Sequence, residues 1–196
     1  HDRAGLGPAV TALLLDTLGG SDRDLQEAAI ARISAVIAPD GIAAVSARLP
    51  GLPESAQVQT LAVLAGYPAN RVLPTVLAAA RSNSLPVRLA ALKALATMGG
   101  ASVVPLLAEA AARTRGPEQV AARAALGALK GRLVDDAIVA LLAQRPSELV
   151  ENELLLAVAD RRFFPAKPAV AARMAADSPR IRVQALRSLR TLGTPS

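Results

Sequence analysis

The sequence predicts an all-α solenoid, a superhelix of about six helix pairs, and three observations support this fold class. Hydrophobic residues make up 52% of the chain and aromatic residues only 2%, so Ala, Leu and Val must form the core, and these suit closely packed helices. Apolar segments with helical periodicity alternate with breaks rich in Gly and Pro. Two apolar columns recur at steps of 31, 31, 34, 29 and 31 residues, namely Ile30, Leu61, Leu92, Leu126, Leu155 and Leu186, and Ile33, Leu64, Leu95, Leu129, Val158 and Leu189. A period near 31 residues made of two helices is typical of solenoids, in which neighbouring pairs bury each other's apolar faces.

The breaks set the order of the helices. Pro8 suits the first turn of the first helix, where its missing N–H costs nothing, and Gly19 and Gly20 end that helix. Ser21 or Asp22 can cap the second helix. Later breaks are predicted at residues 39–41, 50–53, 66–68, 81–84, 116–117, 145–147 and 177–179. They divide one repeat domain over residues 1–196 into units of about 8–36, 40–65, 70–98, 101–130, 134–160 and 166–192.

The formal charge of +6 is concentrated at the end of the sequence. Residues 1–160 hold 14 Lys and Arg against 15 Asp and Glu, whereas residues 161–196 hold eight basic residues against one acidic residue. A basic end can bind an acidic protein, nucleic acid or a membrane surface, or it can be a solvated surface rich in arginine. Charged residues, Gly and Pro interrupt every apolar run well short of about 18 residues, so no membrane-spanning helix is expected.

The residue types argue against an enzyme. The chain has no Cys and its one His is His1, so neither a Cys-His nor a Ser-His-Asp arrangement can form in the interior. Asp135 and Asp136 are expected in the first turn of a helix, where its dipole favours acidic side chains. Glu151 and Glu153 are two residues apart, so they should point away from each other rather than share a proton or a metal. We therefore expect no catalytic site, cofactor or metal.

Two segments resemble a known repeat. Residues 84–95, followed by Gly99 and residues 103–107, are similar to the HEAT-like repeat of the short bacterial kind, also called the PBS-lyase-type repeat. Residues 178–186, with Leu192 and Gly193, repeat the match. The resemblance covers nearly the whole chain and is strongest in the third and sixth units. It implies a right-handed solenoid in which the second helix of each pair lines the concave face.

The resemblance also implies roles for two arginines. In this family an Asp or Asn five residues before an arginine helps to form a hydrogen-bonded ladder between repeats. Asn83 with Arg88 and Asp177 with Arg182 fit this pattern.

The preferred function is a non-catalytic scaffold that binds a protein partner on the concave face, whose identity the sequence does not indicate. Helical projection places both charged and apolar side chains on that face. The candidate residues for partner binding are Leu89, Lys93, Arg123, Lys130, Asn152, Arg187 and Arg190. Charge reversal at Lys93 or Arg123 is expected to leave folding intact, whereas Leu95→Ala should cost about 2–5 kcal/mol.

Three alternatives remain open. The chain can be an accessory or regulatory module of an attached enzyme, as in the chromophore lyases with similar repeats. It can bind nucleic acid through Arg123, Lys130, Arg187 and Arg190, although the lack of Trp and the single Tyr leave few rings for base stacking. It can also self-associate through its C-terminal end, where Ile181, Val183, Leu186 and Leu189 are apolar and no further pair follows to cover them. Phe163 and Phe164 are expected either to plug the core or to anchor a partner.

Overall fold

The computed structural model describes residues 3–20, 22–36 and 41–193, and over these ranges the chain is all-helical, with twelve α-helices and no strand. This confirms the all-α part of the predicted fold class. The chain divides into two compact units, His1–Met98 and Gly99–Ser196, which are described separately below. The expectation of one repeat domain over residues 1–196 stays a prediction. No helix in the described ranges is long and apolar enough to cross a membrane.

In the first unit, helices pack in two series. α1, α3 and α5 contact one another in order, and α2, α4 and α6 do the same. A short 3-10 turn at Leu49–Gly51 joins α3 to α4. The helices are α1 (Arg3–Gly19), α2 (Arg23–Val36), α3 (Ile42–Arg48), α4 (Glu54–Leu64), α5 (Ala69–Ala79) and α6 (Leu85–Met98).

The second unit has the same order of contacts. α7, α9 and α11 pack in series, as do α8, α10 and α12. α10 lies at the centre, because α7, α8, α9 and α12 all pack against it. The helices are α7 (Val104–Arg113), α8 (Pro117–Ala128), α9 (Arg132–Ala143), α10 (Glu148–Asp160), α11 (Lys167–Ala172) and α12 (Pro179–Gly193), with 3-10 turns at Ala101–Val103, Phe164–Ala166 and Arg173–Ala175.

Most helix ends fall where Gly and Pro predict them. α1 ends at Gly19, and the Asp22 carboxylate caps α2 by accepting hydrogen bonds from the backbone N–H groups of Asp24 and Leu25, at 3.0 and 3.1 Å. Gly116 has a φ of 65°, which an L side chain rarely adopts, and it turns the chain immediately before α8. Residue 21 and most of the predicted turn at 39–41 lie outside the described residues.

The predicted start of the first helix was wrong. α1 begins at Arg3, five residues before the expected start at Pro8, and runs through Gly5 and Gly7. Pro8 removes one N–H donor from this helix, the one that would have bonded the carbonyl of Ala4.

The repeating columns form the core. In the first column Leu61, Leu92, Leu126 and Leu155 are fully buried. At the end of the second unit this column opens, because no later described helix packs over α12, and Leu186 is 54% exposed. Val183, which lies outside the column, is 47% exposed. Ile181, which we also expected to be uncovered, is buried.

Candidate functional site

A groove between α4 and α6 is the first candidate for a binding surface. Its volume is about 590 Å³, and its lining is mostly aliphatic, including Val58, Pro86 and Leu89. Lys93 contributes a positive charge, is exposed and has no ion-pair partner among the described residues. Two of the predicted partner-binding residues, Leu89 and Lys93, therefore lie together in one groove.

A second groove, of about 550 Å³, lies between α10 and α12 in the second unit. Arg180, Gln184 and Arg187 line it from α12, and Asn152 and Leu156 line it from α10. Val183 completes the wall on α12. Asn152 and Arg187 were predicted to bind a partner, and the structure brings them to the same groove.

Asn152 is less accessible than the helical projection suggested. Its residue is only 8% exposed, because α10 is surrounded by other helices. The side-chain amide has no hydrogen-bond partner among the described residues, yet it lines the groove. Gln184 is also buried, and its Nε2 donates to Ser188 Oγ at 3.3 Å. The floor of this groove is therefore polar.

Arg123 has a structural partner that the sequence did not reveal. Its Nε and Nη2 donate to the two carboxylate oxygens of Glu153, at 2.6 and 2.7 Å. The Glu153 side chain is 4% exposed and that of Arg123 is 43% exposed. The hydrogen bond to Glu153 raises the pKa of Arg123, so the guanidinium stays charged throughout the range in which proteins are stable. Arg123 thus joins α8 to α10, and its hydrogen-bonding capacity is partly used.

Two further ion pairs hold the second unit together. The Arg173 guanidinium binds the buried Glu151 carboxylate, and Arg161 Nε donates to Asp135 Oδ1 at 2.6 Å. Both guanidiniums are largely buried. Glu151 and Glu153 therefore point to different arginines, as their spacing predicted. Asp135 lies in the first turn of α9, as expected, and also neutralises Arg161.

Arg161 also closes the C-terminal end of α8. Its Nη1 donates to the carbonyl oxygens of Leu126, Gly127 and Leu129, at 3.2, 3.1 and 2.5 Å. The last carbonyls of a helix lack partners within the helix, and a cation there also interacts favourably with its dipole. The guanidinium thereby joins the end of α8 to the start of α9.

These contacts involve several of the basic residues that are concentrated after residue 160. Arg161 and Arg173 are internal, and Arg180 lies 4.0 Å from Glu148 at the surface. The ammonium group of Lys167 lies 5.4 Å from the ring centroid of Phe164, which is half-exposed. Of the eight basic residues after residue 160, Arg161 and Arg173 therefore stabilise the fold from inside, whereas the other six are exposed.

The two arginines of the proposed ladder bind their own loops. Arg88 Nη1 donates to the carbonyl oxygens of Ser82 and Asn83, at 2.8 and 3.0 Å. Arg182 Nη1 makes the same two bonds to Ala176 and Asp177, at 2.9 and 2.8 Å. Both arginines therefore fix the turn between the two helices of a pair through backbone oxygens.

The remaining predicted site residues lie outside the grooves. Lys130 follows the end of α8, and Arg190 lies near the end of α12; both are exposed. A groove that the sequence did not predict, of about 500 Å³, lies between α3 and α5. It contains Ser46, whose buried Oγ has no hydrogen-bond partner in the described residues. Within those residues no three His, Cys, Asp or Glu side chains converge as metal ligands would.

Comparison with known proteins identifies no family. No family model matches the chain, and no curated protein matches it. A solved structure described as the crystal structure of an engineered protein is similar, with a TM-score of 0.52 and 18% sequence identity. The similarity covers 94% of this chain and 96% of the engineered one. At this identity it shows a shared fold and carries no information about function.

Proposed function

We propose that this protein is a non-catalytic interaction module that binds a protein partner along the grooves between the second helices of its pairs. One observation carries the proposal. The two grooves are lined by equivalent positions of the repeat, 94 residues apart in the sequence, since Leu89 corresponds to Val183 and Lys93 to Arg187. The same offset relates Val58 to Asn152, Ala62 to Leu156, Pro86 to Arg180 and Ala90 to Gln184.

A recurring groove is the type of surface that a helical solenoid offers to a partner. The order of helix contacts supports a HEAT-like solenoid within each unit, because first helices pack on first helices and second helices on second helices. We accordingly propose six HEAT-like pairs, with one candidate groove in each unit, between α4 and α6 in the first and between α10 and α12 in the second.

The pairing of shielded carboxylates with arginines supports a non-catalytic role. Asp135, Glu151 and Glu153 are shielded acidic groups of the second unit, and each is bound to an arginine. A general acid or base needs access to its substrate's proton. These three groups instead hold helices together.

The lining of the α4–α6 groove also argues for a protein partner over nucleic acid. A groove that binds phosphates needs cations along its length, but Lys93 is the one charged residue among those that line this groove. The binding face then combines aliphatic, amide and isolated basic side chains, a mixture that fits a protein surface.

Affinity capture from a cell extract can test the proposal with matched variants. The double variant Lys93→Glu/Arg187→Glu reverses one charge in each groove. The control Arg81→Glu/Arg115→Glu makes the same change in charge at exposed loop positions that line neither of these two grooves. We expect the groove variant to lose a partner that both wild type and the control retain, with all three proteins equally helical by circular dichroism. Equal retention of every captured protein by both variants would refute the proposal.

A further inference from the structure

The two equivalent grooves differ in chemistry, and the difference points to a ligand. Where the first groove has Val58, Pro86 and Ala90, the second has Asn152, Arg180 and Gln184. Three positions that are aliphatic in the first groove are thus polar or cationic in the second. The position of Leu89 stays aliphatic, because its equivalent on α12 is Val183. The second groove is the repeat's polar and positively charged version.

Its two guanidiniums are spaced along one face of α12. Arg180 and Arg187 are seven residues apart, which corresponds to roughly 10 Å along a helix. Arg187 is exposed and has no ion-pair partner among the described residues. Arg180 and Glu148 are both about half-exposed and 4.0 Å apart, so solvent weakens their attraction. Both arginines can therefore bind a carboxylate of a ligand.

The amide of Asn152 supplies the second, independent sign of a ligand. Asn152 is 8% exposed as a residue, lines the groove and makes no hydrogen bond through its side chain within the described part of the chain. Its amide is open to the groove, so a ligand there can pair with it. A side-chain amide carries both N–H donors and an acceptor oxygen, so it can pair with the C=O and the N–H of a peptide group.

We propose that the α10–α12 groove binds an extended acidic segment of the protein partner. Two carboxylates of the segment bind Arg180 and Arg187, a peptide group between them binds Asn152, and the aliphatic parts lie over Leu156 and Val183. Two residues three apart in a polyproline II conformation are separated by about 9 Å, close to the spacing of the arginines. The inference rests on the proposed function and assigns the chemistry of its ligand.

The direct test is fluorescence anisotropy with a labelled peptide of about 12 residues that carries Glu at every third position. The control peptide has Gln in place of each Glu. We expect the Glu peptide to bind at least ~10-fold more tightly than the Gln peptide, because hydrogen bonds to charged groups are the stronger ones. Binding should weaken as salt concentration rises.

Variants of α12 provide the matched comparison. Arg187→Gln should weaken binding of the Glu peptide about 10-fold, whereas Arg190→Gln, which removes the same charge from the same helix outside the groove, should leave it nearly unchanged. Asn152→Ala should also weaken binding, with no change in the dependence on salt, because it removes a neutral group. Arg187 and Arg190 are both exposed, so neither arginine substitution should disturb the fold.

Three results would overturn the proposal. The Gln peptide could bind as well as the Glu peptide, or Arg190→Gln could weaken binding as much as Arg187→Gln. A single-stranded oligonucleotide of equal charge could bind more tightly than the peptide and be unaffected by Asn152→Ala. If the peptide fails in this way but Lys93→Glu/Arg187→Glu still loses its captured partner, the acidic ligand is wrong and the interaction module stands. If both tests fail, the proposed function is wrong as well.

Discussion

Removal of Arg123 should destabilise the protein, contrary to the expectation from its sequence position that it is free on a binding face. The variant Arg123→Gln leaves the Glu153 carboxylate, which is 4% exposed, without its two charge-assisted hydrogen bonds. Breaking a fully buried ion pair by removing one partner costs about 3–5 kcal/mol. Because the Arg123 side chain is 43% exposed, water can reach part of the space it leaves, and we expect about 2–3 kcal/mol.

The assay is urea unfolding followed by circular dichroism, with Lys93→Gln as the matched control. Lys93 is exposed and has no ion-pair partner in the described residues, so its loss should change stability by no more than about 0.5 kcal/mol. Glu153→Gln removes the buried charge itself and should cost less than Arg123→Gln, about 1 kcal/mol. If Arg123→Gln were as stable as Lys93→Gln, or less damaging than Glu153→Gln, the ion pair would not stabilise the fold as argued.

Two other changes test the fold. Leu155→Ala should cost about 2–5 kcal/mol because Leu155 is fully buried, whereas Leu186→Ala, at the next position of the same column, should cost under about 1 kcal/mol because its side chain is half-exposed; equal losses in urea unfolding would show that a further element covers α12. Arg161→Met should cost about 3–5 kcal/mol, since it strands Asp135 and the carbonyls at the end of α8, and a thermal midpoint equal to that of wild type would contradict this role.

The sequence was sufficient to predict those features that depend on local chemistry. Gly19 ends a helix and Asp22 caps one through their own backbone preferences, so both were visible without the fold. The buried columns followed from helical periodicity. Helical projection also placed Leu89 and Lys93 on one face, and both line the α4–α6 groove.

Contacts between helices could not be predicted from the sequence pattern. A helical projection places the Cα–Cβ bond of Arg123 but not its guanidinium, which reaches across to Glu153, 30 residues later. The projection likewise placed Asn152 on an open face, whereas four neighbouring helices leave it mostly buried. In the sequence Arg161 is one of the charges of the basic end, whereas in the structure it binds Asp135 and the end of α8. Long side chains and helix neighbours are set by tertiary packing, which a single sequence does not specify.

Site-specific crosslinking tests the central claim, that the grooves between second helices bind the partner, most directly. The chain has no Cys, so a single cysteine can be introduced at Lys93, Arg187, Arg81 or Arg115 and carry a photocrosslinker without interference. We predict efficient crosslinks to the partner from the two groove positions, Lys93 and Arg187, and few from the loop positions, Arg81 and Arg115. Crosslinks that formed mainly from Arg81 and Arg115, with none from either groove, would contradict the account.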